Sequence, residues 1–596
     1  MLRTRFLLIG AVLALARATE VDVPGLGRLK GTTTLTQWTQ QKVFEFRAVP
    51  YAVAPSGARR FKYPEKFSGW LGTRDATLYG QACPQPGVSA AVAPLYGQFL
   101  SHDEDTLPRR ASADPEDCLT LDVYTKKIGS SELRPVFVAI HGGSFLSGMS
   151  SSLKPGFLLE KDIVLVVPQY RLGPLGFLSL GTSEAPGNAG LMDLVLALEW
   201  VRDHVAAFGG DPGKVTVGGN SAGGASTSLL MLNARAAPLF HRVLPQSGPA
   251  LAFWALDRSR STKPASDLAL EANCSPGPAA VLLACLRSKS VAQITNAYIA
   301  YALKVYASGD LGMKNSMPVI QEVGVGERVV DRDPVEVFRA GAFNAMPALV
   351  TVVKHEGIFD LDLMYQSFLL PNGLHNNDTY LREDVLLDFL RVLGVDDFTG
   401  VFSDSLMSKY MDEADVGNFS RMTPSLIDVT GTLSHKAPSF AQAHSHASKA
   451  NTYLLTFDYH GEHTLHDDTP TSVPIPGGIT HSDELIYLYP REGRKLNDED
   501  TKIAKLMVQI FTNFIISGNP SSIPLEGVPE WPHLSGLQRH VLSVRNGGKH
   551  ELFDDYRRTY TAAKDEGLVL KGSAPLLSSS TLTLLLAFAT LILLRR

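Results

Sequence analysis

The stretch Val215-Thr216-Val217-Gly218-Gly219-Asn220-Ser221-Ala222-Gly223 decides how this chain is read. Val215, Thr216 and Val217 have the apolar, β-branched character of a buried strand, and the run from Ala222 to Leu232 is compatible with a helix. A serine set among glycines at such a junction describes a strand-to-helix elbow that lifts its hydroxyl clear of the backbone. Glycines suit that elbow because neighbouring backbones approach too closely to admit a Cβ. A five-letter match of this kind recurs by chance. It marks a nucleophile only if the chain also supplies a base, an orienting acid and donors for an oxyanion.

Three further features supply them. His141-Gly142-Gly143 follows an apolar run at residues 135–140. Backbone N–H groups bared there, with that of Ala222, would form an oxyanion hole, although in isolation the motif reads equally as a glycine turn. Glu356, in Lys354-His355-Glu356-Gly357, ends another apolar strand and suits a buried partner for imidazole; its bland reading is a solvated loop charge. His481, in Gly478-Ile479-Thr480-His481, is the candidate base among 16 histidines, most of which are expected to be surface or structural. The chain order serine, acid, histidine is the one used by α/β-hydrolases.

The surroundings agree. Strands are expected at residues 135–140, 163–168, 348–354 and 453–457, and an amphipathic helix at 191–208, with Leu194, Leu198, Val201 and Val205 on one face. Apolar strands alternating with helices predict a mostly parallel sheet covered on both faces, with catalytic groups at the carboxyl ends of the strands. Residues 285–335 read as a more irregular, helical lid or insert. The chain has 596 residues, 44% of them hydrophobic, with no linker, repeat or heptad pattern from about 21 to 560, so one large domain is expected. A formal charge of -5 gives no argument for nucleic acid or an anionic membrane surface.

Both ends carry targeting patterns. Arg3 and Arg5, the apolar residues 6–15 and Ala16-Arg17-Ala18 read as a secretory signal peptide spanning residues 1–18, too short for the roughly 20 apolar residues of a membrane span. That leaves 19–571 as the main domain and 572–596 as a hydrophobic membrane-anchoring signal. There, Gly572, Ser573 and Ala574 and a short spacer precede an apolar run that ends in Arg595-Arg596. This order resembles a glycolipid-anchor signal, and a single spanning helix at 576–594 is the rival. Either places the body of the protein outside the cell, anchored at the plasma membrane or secreted. In that compartment Cys83, Cys118, Cys274 and Cys285 are expected to be bridged, with three pairings open. Asn273, Asn377 and Asn418 head glycosylation sequons, and the first is expected to go unused because Cys274 occupies its middle position.

At this point FGGDPGKVTVGGNSAG (208–223), EDCLTLDVY (116–124), PQYRLGPLGFLSLG (168–181), NAGLMDL (188–194) and HSDELIYLYP (481–490) together resemble the type B carboxylesterase family, which includes cholinesterases and juvenile hormone esterases. The resemblance runs from about residue 24 to 556. It implies an α/β-hydrolase fold, bridges Cys83–Cys118 and Cys274–Cys285, and a triad of Ser221, Glu356 and His481 acting on a small ester with no metal or organic cofactor. Two departures matter. The family's elbow usually has Glu before the serine, and here Asn220 stands there. Cholinesterases anchor choline on a Trp in the first disulfide loop, whereas this loop offers Tyr96 and Phe99 but no Trp. Both point to neutral or lipophilic esters. Juvenile hormone esterases carry Gln before the serine, nearer to Asn, but show Asp-Gln where this chain has Asp193-Leu194, so such esters stand as an alternative substrate. His460, His463 and His466, with Glu462 and Asp467, match no common zinc spacing and read as a polar loop. The rival to an enzyme is a neuroligin-like surface adhesion protein, motivated by the membrane-directed C-terminus.

Overall fold

Continuous apolar runs become the middle of one large sheet. In the computed structural model, which describes residues 19–86, 107–306, 313–395, 397–465, 477–491, 493–535 and 539–568, the strands are β1 (Thr19–Val23), β2 (Gly27–Leu35), β3 (Lys42–Pro50), β4 (Thr73–Asp75), β5 (Thr120–Thr125), β6 (Arg134–Ile140), β7 (Val164–Pro168), β8 (Ser179–Thr182), β9 (Ala185–Pro186), β10 (Gly210–Asn220), β11 (Arg242–Gln246), β12 (Ala348–Val353), β13 (Thr452–Asp458), β14 (Val541–Arg545) and β15 (Glu551–Phe553). Thirteen strands form one sheet in the order β1-β2-β3-β5-β7-β6-β10-β11-β12-β13-β14-β15, with β4 paired to β2; β8 and β9 form a separate ribbon. From β7 through β14 neighbouring strands are parallel, and antiparallel pairs flank them on both sides. Every residue of β7, β12 and β13 is buried, as a sheet covered on both faces requires.

The helix expected at 191–208 runs over Ala189–His204 and continues as a 3₁₀ turn. It is not one-faced as expected. Nearly all of it is buried, including Asp193, which pairs with the buried Arg171. The Arg171 guanidinium donates to both Asp193 carboxylate oxygens at 2.6 and 2.8 Å. Residues 285–335 contribute the helix Val291–Tyr306, which packs through Tyr298 and Ala302 into a core shared with Leu146 and Leu175. A larger helical block lies between β12 and β13, where sequence patterning raised no expectation. It includes helices Gly357–Met364, Val385–Val392, Val401–Tyr410, Phe419–Gly431 and Ala437–Ala447, with much of its own apolar core around Leu361, Phe389 and Leu426.

Disulfides join Cys83 to Cys118 and Cys274 to Cys285. The leader at 1–18, the segment 572–596, Tyr96, Phe99, His466 and Asp467 lie outside the described residues. Among the described residues no helix is long and apolar enough to cross a membrane.

Candidate active site

The elbow forms where β10 ends, between two parallel neighbours: Gly219 stands opposite Ile140 of β6 and Pro245 of β11. Ser221 then takes φ +56° and ψ −125°, a conformation that L-residues rarely adopt. Such a residue costs on the order of 1–3 kcal/mol and persists only where its surroundings fix it. Here its N–H donates to the Gln246 carbonyl at 2.8 Å and its carbonyl accepts from the Ala225 N–H at 2.8 Å. A Cβ on Gly219 would lie 2.2 Å from the Ile140 carbonyl oxygen, and one on Gly223 only 2.1 Å from it. The crowding explains both glycines. Ser221 sits at the N-terminus of the helix Ala222–Leu232.

The candidate acid, Glu356, follows the end of β12, and the candidate base, His481, lies in the chain beyond β13. Glu356 is fully buried and turns the chain from β12 into the helix Gly357–Met364. One carboxylate oxygen accepts from the Val353 N–H at 2.9 Å and the Ser247 hydroxyl at 2.5 Å; the other lies 2.6 Å from His481 Nδ1. Burial works against the Glu356 charge, but the His435 and His481 imidazoles and the donated hydrogen bonds win and hold its pKa down to about 2. With Nδ1–H committed to the carboxylate, His481 is left with Nε2. That nitrogen is buried and has no hydrogen-bond partner among the described residues.

The next residues fasten the histidine loop to the elbow. The Ser482 hydroxyl donates to Asn220 Oδ1 at 2.6 Å. Asn220 Nδ2 and Gln246 Nε2 both donate to Glu484 Oε1, at 2.9 and 3.0 Å. Burial, reinforced by the nearby Glu356 charge, raises the Glu484 pKa to about 8, so this carboxyl is neutral at pH 7.

The His141-Gly142-Gly143 turn follows β6 directly. A Cβ on Gly142 would come 3.2 Å from Ser221 Cβ, which sets the turn against the elbow. Gly143 takes φ +109°, and its carbonyl accepts the Leu146 and Ser147 N–H groups at 2.9 Å. Among the described residues, the N–H groups of Gly142, Gly143 and Ala222 have no acceptor. His141 stacks on Tyr170 with 4.5 Å between ring centroids, and burial keeps it neutral with a pKa of about 4.

Ser221 opens into a cavity of about 1020 Å³, mouth included, whose walls include Leu146, Phe253, Trp254, Phe359 and His435. The buried His435, and Ser247 beneath Glu356, have no counterpart in the sequence reading. Leu433-Ser434-His435-Lys436 matches no motif, and only the fold brings it here. Away from the site, Glu462 accepts from Asn497 Nδ2, and the His460 backbone exchanges hydrogen bonds with the Asn546 side chain. Asn377 and Asn418 are exposed and cap helices through Oδ1; Asn273 is exposed beside the bridged Cys274.

Comparison with known proteins identifies the family. A family model described as the carboxylesterase family matches residues 17–563. Carboxylesterase 1E of Mus musculus is 30% identical over 521 residues, covering 85% of this chain and 86% of the relative. Liver carboxylesterase 1 of Oryctolagus cuniculus is 29% identical over 515 residues and the liver carboxylesterase of Sus scrofa 31% over 514, each with the same 85% and 86% coverage. The chain therefore belongs to the carboxylesterase family of the α/β-hydrolase superfamily and is a serine esterase.

Proposed function

We propose that this protein hydrolyses neutral, lipophilic carboxylic esters through an acyl-Ser221 intermediate, with Glu356 and His481 completing the triad. The observation that carries the reading is the unpartnered, buried Nε2 of a histidine held at 2.6 Å by a buried carboxylate, on a loop tied through Ser482 to Asn220, the neighbour of a strained serine that lines a mainly apolar cavity. His481 takes the Ser221 proton as Oγ attacks the ester carbonyl, and Glu356 steadies the imidazolium that forms. The N–H groups of Gly142, Gly143 and Ala222 receive the oxyanion. His481 then protonates the departing alcohol, and water clears the acyl group by the same steps in reverse.

Preference for neutral esters is supported by the partners of the polar groups near the serine. Asn220, where the family usually has an acid, brings no charge and spends its amide on Ser482 and Glu484. The cavity carboxylates are engaged as well: Asp388 accepts from Tyr380 and pairs with Arg391, and Asp360 faces His435. The two disulfides and the sequons at Asn377 and Asn418, whose Nδ2 atoms are not used in capping, support passage through the secretory pathway and an outward-facing or secreted protein. The test compares p-nitrophenyl butyrate, a juvenile-hormone-type methyl ester and butyrylcholine on the wild type and on Ser221→Ala. Neutral esters should be preferred and all turnover lost in the variant. Preference for the choline ester would reject the substrate class, and retained turnover in Ser221→Ala would reject the triad.

A further inference from the structure

His435 enters the site through a local irregularity. It lies in a π-helical turn, Thr432–Lys436, between the helices Phe419–Gly431 and Ala437–Ala447. Such turns widen a helix by one residue and recur at functional sites. The widened turn carries the imidazole to the carboxylate that also serves His481. Ring nitrogens of the two histidines and a Glu356 oxygen lie mutually within 4.8 Å, and the two ring centroids are 4.6 Å apart. His435 Nδ1–H donates to the Ser247 carbonyl at 3.2 Å, and the hydroxyl of that same Ser247 donates to Glu356. Ser247 itself sits at φ +47°, so its carbonyl and hydroxyl are both held in a conformation the surroundings must fix.

We propose that His435 is a positioning residue of the esterase site: by fixing Ser247 and by its charge it keeps Glu356 ionised and keeps the Glu356–His481 pair from taking up an additional proton, so that the base remains usable below neutral pH. The inference rests on the triad reading above.

The groups facing His435 fit a cation. Asp360, on the helix Gly357–Met364, places Oδ2 3.5 Å from Nε2; Glu356 and His481 stand on a second side, and Trp254 covers a third at 5.3 Å between centroids. Lys436, the next residue, turns its ammonium to the Thr559 carbonyl. Burial disfavours the His435 charge, but the Asp360 and Glu356 carboxylates outweigh it and raise its pKa to about 9. In turn, the His435 charge is a leading influence that favours the Glu356 carboxylate, beside the charge and hydrogen bond of His481. A carboxylate between two imidazoles titrates with them as one unit, so a fixed positive charge on one side opposes protonation of the whole.

The test is the pH profile of kcat/KM for p-nitrophenyl butyrate in His435→Gln, which retains a donor toward the Ser247 carbonyl, and in His435→Phe, which retains a ring. Active sites are counted by organophosphate titration, so that misfolded protein does not enter the rate. Both variants should move the acid limb upward by about one pH unit, which is about a tenfold loss on that limb, while KM changes little. A wild-type acid limb in both variants overturns the inference, and so does a uniform loss of rate with no shift, which marks a packing role. If Ser221→Ala is inactive while the His435 variants keep the wild-type profile, the triad stands and only this inference falls. Turnover retained in Ser221→Ala removes the triad itself.

Discussion

Replacing Glu356 by Gln changes one atom of a fully buried group and removes its charge. The carboxylate now satisfies three donors at 2.5 to 2.9 Å: the Val353 N–H, the Ser247 hydroxyl and His481 Nδ1. A Gln carbonyl still accepts from Val353 and Ser247, which leaves its NH₂ facing His481. The ring must then accept at Nδ1, place its proton on Nε2, and lose the nitrogen that receives the serine proton. Loss of the correct tautomer, together with loss of the negative charge beside the developing imidazolium, should lower kcat about 10³- to 10⁴-fold. That is about 4 to 5.5 kcal/mol of transition-state stabilisation. The assay is kcat for p-nitrophenyl butyrate on protein whose fold is checked by circular dichroism, with KM expected to change by less than about threefold. A correctly folded Glu356→Gln enzyme within tenfold of the wild-type kcat would refute the assigned role.

Two further outcomes follow from buried charge. Because the Glu484 pKa is raised to about 8 in the folded protein, against about 4.3 in an unfolded chain, its contribution to stability is full below pH 4.3 and is lost as pH rises through 8. Glu484→Gln retains an acceptor for Asn220 and Gln246 and should flatten the decline of melting temperature between pH 5 and 8; an unchanged slope would contradict the assignment. Asp193→Ala leaves the buried Arg171 guanidinium without its carboxylate and should cost about 3–5 kcal/mol in urea unfolding, whereas a loss below about 1 kcal/mol would mean that the pair is dispensable.

Much of this was legible in the chain itself, for physical reasons that differ by element. The buried strands β6, β7, β12 and β13 announce themselves as apolar runs because both of their faces are covered. The elbow is legible because the crowding against Ile140 tolerates only glycine at positions 219 and 223. Glu356 and His481 could be picked out because each sits beside a strand end or turn in the expected order. His435 could not. Its helix carries no motif, and its role depends on a π turn and on contacts with residues 188 positions away at Ser247. The block between β12 and β13 was equally hidden, since its short helices bury small separate stripes instead of one long periodic face. The helix Ala189–His204 misled for the opposite reason, because Asp193 looks like a solvent-facing residue until Arg171 is placed over it.

The central claim is that the strained Ser221 hydroxyl is the acylated nucleophile. Treating the protein with a radiolabelled or mass-tagged organophosphate and mapping the adduct by peptide mass spectrometry tests it directly. One adduct per chain is expected, on the peptide containing Ser221, formed in step with loss of esterase activity and absent from Ser221→Ala. An adduct on another residue accompanying that loss, or full inactivation with Ser221 unmodified, would contradict it.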